Sequence, residues 1–494
     1  MEVKEEIISV ISSDTKISPF NFIFNEIQKP SLFGSEINPN VRRIVKEWTN
    51  FFQENKDDTN LNKIKNVQQI LCNATLKHFM DGAKIDIPNK KVKSIYEEYG
   101  SQVVKTIIEN IKNKVLDFPY KKYNISDEHL NQLIDNVRSF NSSEIISNDD
   151  FILNLVFSKE TLNLFPQPFM LVDEYKYFKH SKDEYDNIDV ITDYFTESER
   201  MKSVRADQIP PGMSPLDIWT SGNSLTQDIV LSSLTNVLSS ESTNFNMTVL
   251  RNEIFNSSNK PDGIKESTQF KVSLAMSVIK YFCPTPETSS MLDISAGWGD
   301  RLISAIGCNL ANYFACDPNK NLKDGHDKIK DTLLSGDKKH LFNIAYEPFE
   351  SATLPAHNFD LVFSSPPFFD LEKYDDDAEQ SLVKYGDGTN WLVNFLFVSL
   401  KKAWEKLNIG GHMVIHITDT PTLKICEPMV LFCQYKLKKC NYLGVLGSMG
   451  NAGIVRPMWV FQKNSSSSSG MARDAEMSLS KNFSDVHKLV KKIK

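Results

Sequence analysis

At 494 residues the chain exceeds what one hydrophobic core usually serves, so two or three domains are expected. A composition of 40% hydrophobic and 24% charged residues is that of a soluble protein; no apolar run approaches the roughly 18 residues that span a bilayer, and Met1-Glu2-Val3-Lys4-Glu5-Glu6 has no signal-peptide character, so an intracellular, membrane-free protein is expected. The net charge of −7 excludes coating of nucleic acid by bulk electrostatics but not a local basic groove, and seven cysteines without a Cys-x-x-Cys pair point to reduced thiols and no metal site.

Residues 1–150 read as a mainly helical N-terminal domain, with Val103, Val104, Ile107, Ile108, Ile111 and Val115 at helical spacing. Lys90, Lys91, Lys93, Lys112, Lys114, Lys121 and Lys122, interleaved with Tyr96, Phe118, Tyr120 and Tyr123, form a candidate nucleic-acid surface. The competing reading is a solvated helical face whose aromatics are core, since Glu97, Glu98 and Glu109 dilute the patch. Residues 151–260 read as a connector or recognition subdomain, punctuated by Phe165-Pro166-Gln167-Pro168-Phe169 and Gln208-Ile209-Pro210-Pro211-Gly212-Met213. Within it, Ser214 as cap and Pro215 at the first position open a helix. A loop over 256–263 and a helix over Phe270–Phe282, broken by Pro284-Thr285-Pro286, lead into a third domain, 261–463.

Met291-Leu292-Asp293-Ile294-Ser295-Ala296-Gly297-Trp298-Gly299-Asp300-Arg301-Leu302 runs from a strand through a Gly-x-Gly turn into a helix. Glycines serve where backbone passes close beneath a ligand, and a helix start offers unpaired N–H groups. A second short strand, Tyr313-Phe314-Ala315-Cys316, ends in Asp317, placed to accept the hydroxyls of a ribose. The pattern is not Gly-x-Gly-x-x-Gly and no phosphate-loop lysine follows, so a nucleoside without a pyrophosphate fits better.

Asp360-Leu361-Val362-Phe363 has the apolar, partly β-branched character of a buried parallel strand, and Ser364-Ser365-Pro366-Pro367-Phe368 ends it in a stiff turn, because prolines donate no ladder hydrogen bonds and fix φ. Such a turn can aim the Ser365 hydroxyl and the Pro366 carbonyl at one amino group while Phe368 stacks on a planar base. Asp370 and Glu372 beyond it are either proton acceptors or solvated acids of a loop with Asp375, Asp376 and Asp377. Trp391–Trp404 reads as a helix stopped by a glycine cap at Asn408-Ile409-Gly410-Gly411, and His412–Ile417 as the next strand, with His416 a structural residue. Tyr442–Leu446 and Arg456–Phe461 read as a closing strand pair, and 464–494 as a flexible Ser-rich linker with a basic tail, in which Phe483–Lys494 is either a basic amphipathic helix that docks on a partner or on phosphates, or disordered.

These motifs give residues 265–463 a specific resemblance to class I S-adenosylmethionine-dependent methyltransferases. Within that family the segment resembles the amino-methylating DNA methyltransferases of phages and large DNA viruses. It carries their Ala-Gly-Trp-Gly-Asp-Arg-Leu loop (296–302), Asp-Pro-Asn strand end (317–319) and Ser-Pro-Pro-aromatic loop (365–368), and the stretches Asp370–Tyr374, Glu379–Ser381 and Trp391 also look similar. The resemblance implies an α/β, Rossmann-like fold with a seven-stranded mixed sheet, and S-adenosylmethionine as cofactor. By the same resemblance Asp293, Gly297 and Gly299, with Ser295 of the same loop, hold the methionine part, and Asp317 the ribose. Glu350 contacts the adenine, with Glu347 an equally placed alternative, and Phe270 and Lys271 begin a helix that closes over the cofactor. Ser365, Pro366, Pro367 and Phe368 receive the target amine and base. Phe368 departs from the commoner tyrosine, which keeps the stacking ring and removes a phenolic hydrogen bond.

The expected activity is therefore methyl transfer to an exocyclic amino group of a nucleic acid base, in DNA before RNA, with cytosine N4 ahead of adenine N6. The rivals are an RNA or cap-adjacent methyltransferase and a catalytically silent scaffold, against which the intact Asp293, Gly297, Gly299, Asp317 and Ser365–Phe368 argue. A protein partner would use the helical N-terminal region or the basic tail.

Overall fold

The computed structural model describes residues 118–121, 126–141, 146–147, 155–165, 177–179, 186–208, 211–221, 251, 254–255, 264–449, 455–466 and 469–493. Most of the candidate nucleic-acid surface lies outside them. The chain forms two units, Met1–Asn124 with Asp207–Glu266, and Ile125–Ala206 with Ser267–Lys494.

In the first unit, the helix Pro215–Ser221 starts as its sequence requires. The Ser214 hydroxyl accepts from the Asp217 N–H at 3.1 Å, and the Asp217 carboxylate accepts in return from the Ser214 N–H at 2.9 Å, so two orphan groups satisfy each other. The helix buries Trp219 edge-on against Phe118, ring centroids 6.1 Å apart. Phe118 is thus core, as the competing reading of the lysine-rich stretch has it.

The second unit is built on one sheet. Its strands are β1 (Ile146–Ser147), β2 (Tyr177–Lys179), β4 (Ser290–Asp293), β5 (Asn312–Cys316), β6 (Phe342–Ala345), β7 (Phe359–Ser364), β9 (Leu407–His416), β10 (Cys440–Met449) and β11 (Val455–Lys463), ordered β1-β2-β10-β11-β9-β7-β4-β5-β6. A separate pair joins β3 (Val204–Arg205) to β8 (Glu372–Lys373). Leaving out the two short edge strands β1 and β2, seven strands numbered in chain order lie 3-2-1-4-5-7-6, with β11 antiparallel to both its neighbours and β4 to β9 mutually parallel. This is the Rossmann-like, seven-stranded mixed sheet expected from the sequence.

The parallel strands read as continuous apolar runs because both faces are covered. Along β7, Phe359 and Val362 face one core cluster and Leu361 and Phe363 the other. One cover includes the helices Asp127–Ser139 and Val272–Phe282; the other includes Val398–Glu405, Cys426–Lys436 and two C-terminal helices. Ser126 caps the first of these helices, accepting from His129 N–H at 3.2 Å, and Leu130, Leu133, Ile134 and Val137 form its buried stripe.

Three expectations change. Residues 125–206, expected as the end of a helical domain and a connector, supply a covering helix and two edge strands to the sheet unit. Residues 469–493 are helical rather than a flexible linker and tail: helix Ser484–Val490 falls within the stretch read as an amphipathic helix, helix Ser469–Asn482 precedes it, and the two bury Ala475, Leu479, Val486 and Val490. They cover the helix Cys426–Lys436, whose residues Cys426 to Gln434 are all buried, so that it needs cover opposite the sheet as well as against it. Gly410-Gly411 does not cap a helix. Helix Val398–Glu405 has already ended, and the glycines sit in β9 where the pairing to β7 jumps from Leu407 to His412. Gly410 takes φ +84°, and a Cβ on Gly411 would lie 2.8 Å from the Asp360 carbonyl oxygen.

Candidate active site

The strand order reverses between β4 and β7, and ligands of open α/β sheets bind outside the carboxyl ends of the strands at such a reversal. A cavity of about 260 Å³ lies there. Ser295 and Gly297 from the loop after β4, Asp317 after β5, Glu350 beyond β6, Ser365, Pro366, Pro367 and Phe368 after β7, and Phe270 ahead of Val272–Phe282 all line it.

Asp293 and Gly299 do not line it, for separate reasons. Asp293 is fully buried beneath the loop, where it accepts from Arg301 Nε at 2.8 Å, Tyr313 hydroxyl at 3.0 Å and the Ser295 N–H at 3.1 Å. These bonds brace the loop from beneath. Gly299 takes φ +99° at the start of Asp300–Gly307, and a Cβ there would stand 2.7 Å from Ile329 Cδ1 and 3.3 Å from the His326 ring. The absent side chain makes room for a neighbouring helix. Gly297, at φ +58°, does face the cavity. Its N–H donates to Asp317 at 2.8 Å and its carbonyl meets His326 Nε2 at 2.9 Å. Burial lowers the His326 pKa to about 4, so the ring is neutral, donating from Nε2 and accepting at Nδ1 from the Tyr346 hydroxyl.

Asp317 accepts backbone N–H bonds from Gly297 and Asn319 at 2.8 and 2.9 Å, one on each oxygen, leaving lone pairs for further donors. Burial raises its pKa to about 6 against those two bonds. Glu350, also in the lining, accepts from the Tyr385 hydroxyl at 2.7 Å and pairs with Lys384 at 3.4 Å through one oxygen, while its other oxygen is buried and unpartnered. Gln380 Nε2, in the same lining, is likewise buried and unpartnered. Glu347 is not in the lining, which separates the two competing glutamates.

Ser295 ties the two loops together, its hydroxyl lying 3.2 Å from Ser364 Oγ and 3.1 Å from the Ser365 carbonyl oxygen. Past the prolines, Phe369 is held at φ +51°, a region unfavourable for a bulky residue, with its ring packed 5.6 Å from Trp391. That strain turns the chain sharply and leaves Phe368 lining the cavity. Of the two candidate proton acceptors, Glu372 lines the cavity, bonded by the Tyr374 hydroxyl at 2.8 Å, whereas Asp370 accepts from Thr422 and does not line it.

Two residues of the site were not singled out from the sequence. His416, taken as structural, lines the cavity with Nδ1 3.1 Å from Ser365 Oγ. The available signal was its place at the end of β9, the strand beside β7. Arg301 pairs with Asp293 in full burial, donates to the Ser295 carbonyl, and lies 5.5 Å from the Phe270 ring centroid. Segment 186–206 also braces the site: Thr196 donates to the Trp298 carbonyl and Thr192 to Asp300, at 2.8 and 2.7 Å. Among the described residues no group of three or more His, Cys, Asp or Glu could hold a metal, and no helix is long and apolar enough to cross a membrane.

No family model and no curated protein matches the chain. Solved structures align with it. TrmN from Thermus thermophilus does so at 13% identity over 39% of this chain and 49% of its own, with a TM-score of 0.29, so the chain spans about half of that protein. An rRNA methylase from Streptococcus thermophilus aligns at 10% identity over 40% of this chain and 99% of its own, TM-score 0.28. The N-methyltransferase NodS from Bradyrhizobium japonicum aligns at 12% identity over 38% and 94%, TM-score 0.27. At these TM-scores the likenesses carry no functional weight.

Proposed function

We propose that the chain is an S-adenosylmethionine-dependent methyltransferase acting on an exocyclic amino group of a nucleic acid base, in DNA at cytosine N4 or adenine N6. One observation carries the reading: the glycine loop, the acid after β5 and the Ser-Pro-Pro-Phe loop line a single cavity at the strand-order reversal. The resemblance of those motifs to amino-methylating enzymes supplies the class of target.

The residues present fit the cofactor. The unpartnered Glu350 oxygen and Gln380 amide are a buried acceptor and a buried donor in the same lining, which suits a purine, and Asp317 retains lone pairs for ribose hydroxyls. Ser295 and Gly297 would hold the amino-acid part, with Phe270 alongside. When bound, S-adenosylmethionine supplies an electrophilic methyl group on a positively charged sulfur.

The chain's own part is positioning, since an in-line displacement by an amine needs alignment more than acid–base power. The Ser365 hydroxyl and Pro366 carbonyl accept the two amine hydrogens, which aims the nitrogen lone pair into the cavity, and Phe368 stacks on the base. A base within a duplex must first leave the stack, at a cost of a few kcal/mol that stacking on an aromatic ring offsets by roughly 1–3 kcal/mol.

The test is transfer of tritium from labelled cofactor into DNA and into RNA, followed by nucleoside digestion and mass spectrometry. N4-methylcytosine or N6-methyladenine in DNA is the expected product. The same label in RNA alone would move the proposal to the RNA alternative, and label on a ring carbon, a ribose oxygen or protein would overturn it.

A further inference from the structure

We infer that His416 is a positioning residue: it takes the Ser365 hydroxyl hydrogen, so that Ser365 Oγ faces the cavity as an acceptor only and selects an amine over an oxygen or a ring nitrogen. The inference rests on the proposed reading of an amine substrate.

His416 Nδ1 lies 3.1 Å from Ser365 Oγ. The imidazole is 7% exposed and is held from two sides, by Phe270 edge-on with centroids 5.2 Å apart and by Phe368 at 5.6 Å. The ring is therefore wedged between the aromatic residue just ahead of helix Val272–Phe282 and the one proposed to stack on the base. Burial, with Arg456 and Arg301 nearby, depresses its pKa to about 3. At neutral pH the ring is uncharged, with one bare nitrogen able to accept. The methylated nitrogen is a strong acid that passes its extra proton to water, so the reading needs no base at His416.

A lone serine hydroxyl is ambiguous, because it can accept from an amine hydrogen or donate to the amine nitrogen. Donation would occupy the lone pair that has to attack. With its hydrogen committed to Nδ1, Oγ presents only lone pairs, and together with the Pro366 carbonyl it gives the amine two acceptors and no competing donor. A target offering a carbonyl or an unprotonated ring nitrogen meets acceptor against acceptor, leaving its polar atom unpaired in a buried site, a strong basis for rejection.

The test uses the full chain with 15N-labelled histidine. Nδ1 of His416 is expected unprotonated and hydrogen-bonded, with a resonance that shifts in Ser365→Ala; a proton on Nδ1 would overturn the assignment whether or not the protein methylates anything. In methyl transfer, His416→Phe fills the ring's volume without an acceptor and should lower kcat about tenfold, the equivalent of one neutral hydrogen bond, with cofactor affinity unchanged. His416→Asn, which keeps an acceptor near the position of Nδ1, should recover most of that loss. In a Ser365→Ala background His416→Phe should cost nothing further. Losses that multiply in the double variant, or an Asn variant as impaired as the Phe one, would reduce His416 to packing. A wild-type chain that labels no base amine would fail the proposed function separately, with the nitrogen resonances still deciding the orientation of Ser365.

Discussion

The two loops that meet in the cavity are held by opposite kinds of force. The glycine loop has neutral bonds from His326 and Thr196, but what sets it apart is buried charge: Arg301 and Asp293 pair beneath it, and Asp317 grips its Gly297 N–H. The proline loop is held by neutral groups only, Ser295, Ser364 and His416, by ring packing, and by its own prolines. The difference matches what each would face. A cationic cofactor sits comfortably among fixed carboxylates, whereas a neutral amine must be oriented without being protonated, and a dry neutral wall does that. The glycine-loop side should therefore fail by losing fold or cofactor affinity, and the proline-loop side by losing transfer alone.

The largest effect should come from Arg301→Ala. It leaves the Asp293 carboxylate buried without its ion partner, a loss of about 3–5 kcal/mol, read as a fall in the urea midpoint of the sheet unit. A midpoint unchanged within error would mean that the pair does not pin the loop. Asp317→Asn should weaken cofactor binding by about 1.5–3 kcal/mol, the worth of hydrogen bonds to a charged acceptor. The sign of its pH dependence follows from its raised pKa of about 6. Above that pH the carboxylate is ionised and accepts; as pH falls through it, protonation removes acceptor capacity, so wild-type cofactor affinity should drop between about pH 7 and pH 5. Calorimetric titration of the Asn variant should show no such drop.

On the proline-loop side, Phe368→Ala should lose stacking of roughly 1–3 kcal/mol, about 5- to 150-fold in kcat/KM, while cofactor affinity measured by calorimetry stays at the wild-type value. Equal losses in both quantities would erase the contrast between the loops.

Much of this was legible in the sequence, for identifiable reasons. Buried parallel strands announce themselves as apolar runs, and the residues that end them, Asp317 and Ser365-Pro366-Pro367-Phe368, are conspicuous because they break those runs. What a linear string does not carry is which way a loop residue faces. Asp293, Gly297 and Gly299 share one motif, yet only Gly297 meets the cavity, because Asp293 points down to Arg301 and Gly299 toward Ile329. His416 was passed over because a histidine within an apolar strand looks the same whether it sits mid-strand or at the carboxyl end beside a reversal of strand order. Of the two C-terminal helices, Ser484–Val490 was visible as an amphipathic stretch, and Ser469–Asn482 was hidden by the serine run at its start. The helix Cys426–Lys436, with the apolar run Met429–Cys433 and no polar face, held the clue that something further along the chain must cover it.

The smallest expected effect probes the joint between the loops. Ser295 belongs to the glycine loop by sequence, but its hydroxyl bonds reach Ser364 and the Ser365 carbonyl. Ser295→Ala removes them without introducing bulk, and two shared neutral hydrogen bonds are worth about 1 kcal/mol in such a setting. If the hydroxyl serves mainly to seat the proline loop, kcat should fall about fivefold with cofactor affinity nearly unchanged, so that the variant behaves like one on the proline side despite its position. If instead it serves the methionine part of the cofactor, the same fivefold should be read as weaker binding in calorimetry, with kcat at saturating cofactor preserved. The two outcomes move different quantities, so a single saturation curve paired with one titration assigns Ser295 to one loop or the other.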